Sequence, residues 1–290
     1  MQITTHPPKT EPRTWLVLGR VWHLPTVWSN CLAAWLLGGG GESARMAGLF
    51  LGASLVYLGG VYLNDYFDEQ FDRQYQPTRP LPAGRVKRQT VGRAGLLWLG
   101  LGGLALVLSS AGWVLTVFLV ATILTYDYVH KATKLSPALM GGCRFLLYLV
   151  VASAGLDGVT GFALWCALAL GCYIVGLSYL ARKESTRVTV RWWPLAFLAV
   201  PVVLALLGNG GEYREPAVWL SFVLALWVIP CLRHTFREAS PNRRLTVSGL
   251  LSGIVLVDLL ATAGGSAGII LVFAALFVLA ILLQRYVPAT

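Results

Sequence analysis

The fold of this chain is decided by one stretch of sequence, Gly60-Val-Tyr-Leu-Asn64-Asp65-Tyr-Phe-Asp68-Glu-Gln-Phe-Asp72-Arg73, where a strongly apolar run ends in a group of acids. The chain has only 13 acidic residues among 290, yet three aspartates and a glutamate fall within this short segment. Three of its polar residues recur at intervals of four, so on a helix of about 100° per residue they step round the axis by only ~40° each time. The pattern predicts a helix with one polar face, formed by Asn64, Asp65, Asp68 and Asp72.

That face is predicted to bind a metal ion. Carboxylates near a bilayer cost free energy and repel one another, so a cluster of them indicates that a cation lies among them. Magnesium prefers oxygen ligands, and it binds proteins through one or two carboxylates together with the phosphate oxygens of a substrate. The alternative is a solvated helix end at the membrane surface, which would not need its acids gathered on one face while Phe67 and Phe71 point away from it.

The composition predicts a membrane protein. Hydrophobic residues make up 56% of the chain and charged residues 12%, whereas a soluble domain carries about 25% charged residues. Apolar runs of roughly 20 residues, the length that crosses a bilayer core, recur along the chain. The predicted spans are 15–37, 45–71, 90–109, 112–130, 137–155, 160–181, 190–208, 216–232, 245–263 and 267–285. The span at 245–263 is the weakest because it contains Asp258.

The predicted architecture is therefore all-α: a polytopic transmembrane bundle of nine or ten helices around a central cavity. Residues 1–14 are polar and contain three prolines, so we expect a disordered cytoplasmic tail there. Residues 15–290 are expected to form a single transmembrane domain.

The basic residues predict the orientation. The chain carries a net charge of +10, and most of its 23 lysines and arginines fall in loops on the same side of the membrane as the segment after Asp72. Such a bias follows the positive-inside rule and places the acidic face toward the cytoplasm, in a bacterial inner membrane. The basic loops would face anionic lipid headgroups and attract an anionic substrate. No soluble basic fold is predicted, so nucleic acid is not an expected partner.

A second motif directly follows the acidic helix: Pro77-Thr-Arg79-Pro80-Leu81-Pro82-Ala-Gly84-Arg85. An N-D-x-x-D-x-x-x-D helix end followed by an R-P-L-P-x-G loop resembles the UbiA superfamily of intramembrane prenyltransferases. The resemblance implies a bundle of nine spans in which magnesium and basic residues bind an isoprenyl diphosphate. It also implies that the prenyl group passes to a hydrophobic acceptor, often an aromatic ring, within the membrane.

The resemblance also implies site residues. Lys131 closes the fourth span in Thr125-Tyr-Asp-Tyr-Val-His-Lys131, where the family carries a Tyr and Lys pair; a simple ion pair of Lys131 with Asp127 is the alternative. Metal ligands are expected at Asn64, Asp65, Asp68 and Asp72. Catalytic residues are expected at Asp68, Asp72, Lys131 and Glu184. Substrate-binding residues are expected at Arg20, Asn64, Arg73, Tyr126, Asp127, Arg144, Arg182 and Lys183.

Two intramembrane charges have more than one interpretation. Arg144 lies in an apolar span, where a charged residue is functional by default, but it would also fit a pair with Asp127. Asp258 either pairs with an arginine or faces the cavity.

The family's second acidic motif is missing. It should close the sixth span as two aspartates, but that place reads Ser178-Tyr-Leu-Ala-Arg182-Lys183-Glu184-Ser185, with one acid and two cations. One magnesium ion could suffice, with Arg182 or Lys183 contacting the diphosphate directly, or the acceptor or leaving group could differ from the usual one. The remaining alternative is a non-catalytic relative that binds prenyl groups or lipids or is associated with transport. These segments are similar to the divergent UbiA-like EboC branch. A transporter and a CDP-alcohol phosphotransferase are the other classes weighed, but no paired repeat and no D-G-x-x-A-R motif is present.

Overall fold

The computed structural model describes residues 12–182, 192–236 and 243–286, and these residues are helical almost throughout. They form eleven α-helices, together with short 3-10 turns at Val21–His23 and Gly211–Tyr213. The α-helices are α1 (Pro12–Leu18), α2 (Leu24–Leu37), α3 (Ser43–Tyr75), α4 (Arg88–Leu108), α5 (Trp113–Val129), α6 (Ser136–Ala152), α7 (Gly161–Ala181), α8 (Pro194–Gly208), α9 (Arg214–Phe236), α10 (Arg243–Ala261) and α11 (Ala267–Tyr286). The prediction of an all-helical bundle is confirmed.

Most of these helices are apolar enough to cross a membrane. By length and composition, six qualify in the described part of the chain: α3, α4, α7, α10, α11 and α9 with the turn before it. The helices α5, α6 and α8 are apolar as well but shorter. The chain is a multi-pass integral membrane protein.

The first predicted span is not one helix, which corrects the prediction of a continuous span over 15–37. It is divided into α1, a 3-10 turn and α2, because Arg20 adopts a left-handed backbone conformation with φ 44° and ψ 47°. A residue other than glycine adopts that conformation only at a cost in free energy. Residues 12–14 of the predicted tail belong to α1, which begins at Pro12, and the rest of that predicted tail lies outside the described residues.

The helix α2 forms the centre of the bundle. It contacts α3, α6, α7, α10 and α11, and Val27, Cys31, Ala33 and Ala34 are completely buried within it. Pro25 occupies its first turn, where a missing backbone N–H costs nothing. Small residues on several sides of α2 let the neighbouring helices approach it closely. This close packing holds the polar side chains of α2 in place.

The acidic residues lie at the end of the longest helix. The helix α3 has 33 residues and is therefore about 50 Å long at 1.5 Å per residue, whereas the bilayer core is only ~30 Å thick. Its far end, which carries the acids, thus extends beyond the apolar segment. The helix α4 packs closely along α3: a Cβ atom on Gly102 would lie 2.6 Å from the backbone nitrogen of Val56.

The span predicted to be weakest forms a well-buried helix. The helix α10 runs from Arg243 to Ala261, and Asp258 near its end is 0% exposed. A charged residue lowers the hydropathy of a segment, but here it is enclosed by neighbouring helices and does not meet lipid.

Candidate active site

The acidic end of α3 is turned toward the protein. Asp65, Asp68 and Asp72 are buried, the last with only 1% of its surface exposed, whereas Phe71 is 44% exposed. Asn64 is buried as well and Phe67 is exposed. The helical phase read from the sequence therefore matches the observed face. Glu69, at the edge of this face, is also buried and pairs with Arg73 and Arg88.

Each buried aspartate of α3 contacts a basic side chain from outside that helix. The carboxylate of Asp65 lies 2.6 Å from Nη2 of Arg20, and that of Asp72 lies 2.6 Å from Nη1 of Arg79. Arg79 is also 3.9 Å from Asp65. These short charge-assisted contacts offset the cost of burying the acids.

Arg20 reaches Asp65 because of the break between α1 and α2. Its left-handed backbone turns the chain at the end of α1, and its carbonyl oxygen accepts a hydrogen bond from the hydroxyl of Tyr57 at 3.1 Å. The strained backbone is therefore held by contacts with α3 on both its main chain and its side chain. Strain of this kind is found where a fold must direct a side chain into a site.

A second basic group approaches from the end of α5. Nζ of Lys131 lies 3.0 Å from Asp68 and 3.7 Å from Asp72, and it stands 3.6 Å from the ring centre of Phe71. The structure thus places Lys131 against the α3 acids, and the alternative ion pair with Asp127 does not form. Lys131 bridges two carboxylates that are one helical turn apart.

His130, beside Lys131, is held between two oxygen atoms. Its Nδ1 is 3.1 Å from the backbone oxygen of Asp127, and its Nε2 is 3.2 Å from the carboxylate of Asp68. Burial on its own lowers the pKa of His130, but the hydrogen bond and the charge of Asp68 outweigh it and raise the pKa above its usual value. Tyr126 stacks on the imidazole, with ring centres 5.1 Å apart.

Asn64 and Asp127 join α3 to α5. Nδ2 of Asn64 donates to Oδ1 of Asp127 at 3.3 Å, while Oδ2 of Asp127 is buried and has no hydrogen-bond donor among the described residues. Both residues line an internal cavity of about 140 Å³, together with Arg20, Tyr126 and Arg144. The rest of the cavity wall is largely apolar. The polar cluster and an apolar chamber are therefore adjacent.

The structure does not bring every predicted residue to this cluster. Arg73 pairs with Glu69 at the exposed edge of α3. Arg182 donates to the backbone oxygens of Thr133 and Lys134, at 3.1 and 2.9 Å, in the loop between α5 and α6. Lys183 and Glu184 lie outside the described residues. Arg144 does not pair with Asp127 but donates to Asn30 and Thr26 of α2.

Sequence reasoning missed two members of the cluster. Arg79 belongs to the quoted R-P-L-P-x-G motif, so that motif already contained the signal for its role. His130 directly precedes Lys131 in the sequence, but nothing in the spacing indicated that its ring would reach Asp68. A loop residue such as Arg79 is placed by tertiary structure, here by the return of the chain from α3 to α4.

The donor set fits a magnesium ion that is shared with a phosphate group. In the described ranges, no group of three or more His, Cys, Asp and Glu side chains is arranged to hold a metal by itself. However, magnesium needs only one or two carboxylates when phosphate oxygens complete its shell. Oδ1 of Asp72 is buried without a hydrogen-bond donor among those residues, and Asn64 and Asp68 offer further oxygens on the same face.

Fold and site together define a helical membrane protein with a cluster of acids and bases beside an apolar internal cavity. The chain belongs to the UbiA prenyltransferase family, whose family model matches residues 24–238. Enzymes of this family generally use Mg²⁺.

Relatives with assigned activities match part of the chain. A digeranylgeranylglyceryl phosphate synthase of Thermococcus gammatolerans is 33% identical over 152 residues, which cover 49% of this chain and 50% of that protein. A 4-hydroxybenzoate octaprenyltransferase of Burkholderia pseudomallei is 29% identical over 187 residues, covering 59% of this chain and 62% of that protein. The chain thus matches between about half and two thirds of the length of these two relatives.

Solved structures show the same fold. A UbiA homologue from Aeropyrum pernix K1 superposes with a TM-score of 0.61 over 84% of this chain and 97% of that chain, at 16% identity. A digeranylgeranylglyceryl phosphate synthase structure superposes with a TM-score of 0.58 over 93% of this chain and 98% of that chain, at 19% identity. At this level of identity the agreement concerns the fold.

Proposed function

We propose that the protein transfers an isoprenyl group from a prenyl diphosphate to an aromatic or lipid acceptor within the membrane, in a magnesium-dependent reaction. The single observation that carries the proposal is the buried face of Asn64, Asp68 and Asp72 beside an apolar cavity. The activities assigned to the relatives support it. A polar cluster for the diphosphate and an apolar chamber for the prenyl chain match the two halves of such a substrate.

Asn64, Asp68 and Asp72 would hold the magnesium ion, which would offset the charge of the diphosphate and make it a better leaving group. Lys131 and Arg79 already lie at these acids, so they are placed to donate hydrogen bonds to diphosphate oxygens. Asp65 lies within 4 Å of two arginines, Arg20 at 2.6 Å and Arg79 at 3.9 Å. We assign to Asp65 the task of orienting Arg20 toward the substrate.

In the proposed reaction, the bond between the first prenyl carbon and oxygen breaks, and the electron pair leaves with the diphosphate. The allylic cation that results is attacked by the acceptor, which then loses a proton. Asp127 lines the cavity, and its buried Oδ2 has no hydrogen-bond donor in the described structure, so we assign to Asp127 the acceptance of that proton. The apolar walls keep water away from the cation.

A non-catalytic, prenyl-binding or lipid-binding role is the second candidate. It is favoured by the end of α7, where the chain has Arg182 in place of an aspartate pair, and where Arg182 is engaged with backbone oxygens of the neighbouring loop. Mass spectrometry of lipids from cells with and without the protein separates the two roles. A new prenylated product establishes the enzyme, whereas a lipid that copurifies unaltered establishes the binding protein.

The site is tested by binding. Purified protein should bind farnesyl diphosphate only with magnesium, and Asp68→Ala should weaken this binding by roughly tenfold or more, since the variant removes a charged ligand. Asp157→Ala is the matched control, because Asp157 is an exposed aspartate in the loop between α6 and α7. Equal affinity in the Asp68 variant and the wild type would sink the assignment.

We further propose that the protein lies in a bacterial inner membrane with the acid cluster on the cytoplasmic side. The basic loops next to the cluster support this orientation. Arg85, in the loop after α3, and Asp157 lie at opposite ends of the bundle. A cysteine introduced at Asp157 should react with a membrane-impermeant maleimide added to intact cells, and one at Arg85 should not; the reverse pattern would invert the topology.

A further inference from the structure

A second polar cluster lies inside the bundle, where α2, α6 and α10 meet. Nη1 of Arg144 donates to Oδ1 of Asn30 at 2.6 Å, and Nη2 donates to the hydroxyl of Thr26 at 3.2 Å. Nδ2 of Asn30 in turn donates to Oδ2 of Asp258 at 2.6 Å, and the same oxygen accepts from Ser29 at 2.6 Å. The amide of Asn30 therefore stands between the arginine and the aspartate.

This arrangement leaves the charge of Arg144 without a direct counter-ion. Within the described residues, the guanidinium contacts only uncharged oxygens, from Thr26 and Asn30. Arg20 differs, since a carboxylate touches it. Asp258, which is completely buried, balances the charge of Arg144 only from beyond the amide. A cation in a membrane interior that is oriented but not directly paired favours the approach of an anion.

Arg144 belongs to the wall of the cavity that the proposed reaction uses. Arg144 lines this cavity with Tyr57, Asn64 and Asp127. Its hydrogen bonds to Thr26 and Asn30 use both Nη1 hydrogens and one Nη2 hydrogen. The Nε hydrogen and the other Nη2 hydrogen have no partner among the described residues. A guanidinium with free donors binds a carboxylate or a phosphate through two hydrogen bonds.

We propose that Arg144 binds an anionic group of the acceptor, a carboxylate or a phosphate, inside the cavity, and that Asn30 and Asp258 are positioning residues for its guanidinium. The proposal rests on the proposed function and names the class of acceptor. An acceptor without such a group would leave the cation of Arg144 without a direct counter-ion in the cavity wall, so the site selects against neutral acceptors.

The test measures selectivity for charge. Full-length protein in lipid nanodiscs is saturated with magnesium and a non-reactive farnesyl thiodiphosphate. Two pairs of probes are then titrated by calorimetry: 4-hydroxybenzoate against 4-hydroxybenzyl alcohol, and dodecyl phosphate against dodecanol. The wild type should bind at least one anionic probe about tenfold more tightly than its neutral partner. The pair that shows the preference identifies a carboxylate or a phosphate; no preference in either pair overturns the proposal.

The variants distinguish a role of Arg144 in binding an anion from a purely structural role. Arg144→Gln should abolish the preference, whereas Asp258→Asn should strengthen it severalfold, because it removes the negative charge that competes with the ligand. Asn30→Ala should weaken the preference while the affinity for farnesyl thiodiphosphate is unchanged. If Arg144 only tied α2 to α6, these variants would lower the melting temperature and leave the preference as it was. That outcome, or a shift of the Arg144 and Asp258 variants in the same direction, refutes the proposal.

Controls keep the result interpretable. Arg93→Gln makes the same change at an exposed position of α4 and should leave the preference unchanged.

Should Arg144→Gln fail to fold, Arg144→Lys retains the charge with fewer directed donors and should give an intermediate preference; a full wild-type preference in that variant argues against two-point binding by the guanidinium. Should the wild type not bind farnesyl thiodiphosphate, the proposed function fails, and the same titrations on the protein alone still decide whether Arg144 binds anions.

Discussion

Replacing Arg20 by glutamine should destabilise the protein strongly, because Arg20 is the close partner of a buried acid. Asp65 is 5% exposed, and its carboxylate lies 2.6 Å from Arg20 but 3.9 Å from Arg79. Removing one partner of a buried ion pair costs about 3 to 5 kcal/mol, since the other charge stays buried without compensation. Arg79 retains part of the compensation, so we expect the lower end, about 3 kcal/mol.

This cost can be measured as a melting temperature. For a chain of this size, about 3 kcal/mol corresponds to a decrease of roughly 6 to 12 °C, which tryptophan fluorescence of the protein in detergent would detect. The double variant Arg20→Gln with Asp65→Asn should recover most of the loss, because no charge is then left unpaired. A decrease below about 2 °C in the single variant, or a double variant with the summed loss of both single changes, would refute the reasoning.

Three further changes test other contacts. Lys131→Gln should weaken farnesyl diphosphate binding by roughly tenfold, because it removes the cation beside Asp68; unchanged affinity in an equilibrium binding assay would contradict its role. Glu69→Gln should leave that affinity unchanged and cost less than about 1 kcal/mol in thermal unfolding, since the side chains of its partners Arg73 and Arg88 are 66% and 44% exposed; loss of binding would show that Glu69 belongs to the site. Gly102→Leu should lower the melting temperature by roughly 5 °C or more, because its side chain has no room against α3; a stable variant would mean that α3 and α4 can separate at no cost.

The sequence predicted the acidic face well because the face is a local property. Asn64, Asp68 and Asp72 share one face because they are spaced by about one helical turn. The apolar run before them marks the membrane-spanning part of the same helix. Local pattern also predicted the boundaries of α4 and α7 to within about two residues. Such features depend on residues close in sequence, and a helix needs no information from elsewhere in the chain to place them on one side.

The sequence did not predict features that depend on contacts between distant segments. The left-handed conformation of Arg20 has no local signal, since it is held by Asp65 and Tyr57 more than thirty residues away. Hydropathy averaged over the first span concealed the break at this residue. Likewise, Asp258 weakened the prediction of α10, because pattern alone could not show that Ser29 and Asn30 of α2 would donate hydrogen bonds to its Oδ2.

The charges around the acidic face explain how a site with one acidic motif could accept a diphosphate. Asp65, Asp68 and Asp72 are offset by Arg20, Arg79 and Lys131, so these six side chains have no net charge. A diphosphate ester with one magnesium ion keeps a residual negative charge, and Nε2 of His130 lies 3.2 Å from the carboxylate of Asp68 at the same face. A second pair of aspartates would require a second cation to restore this balance. The replacement of that pair by Arg182 and its neighbours therefore favours binding through a single magnesium ion. We expect the affinity for diphosphate to saturate at one magnesium ion per protein in a magnesium titration at fixed farnesyl diphosphate. A requirement for two ions would contradict this reasoning.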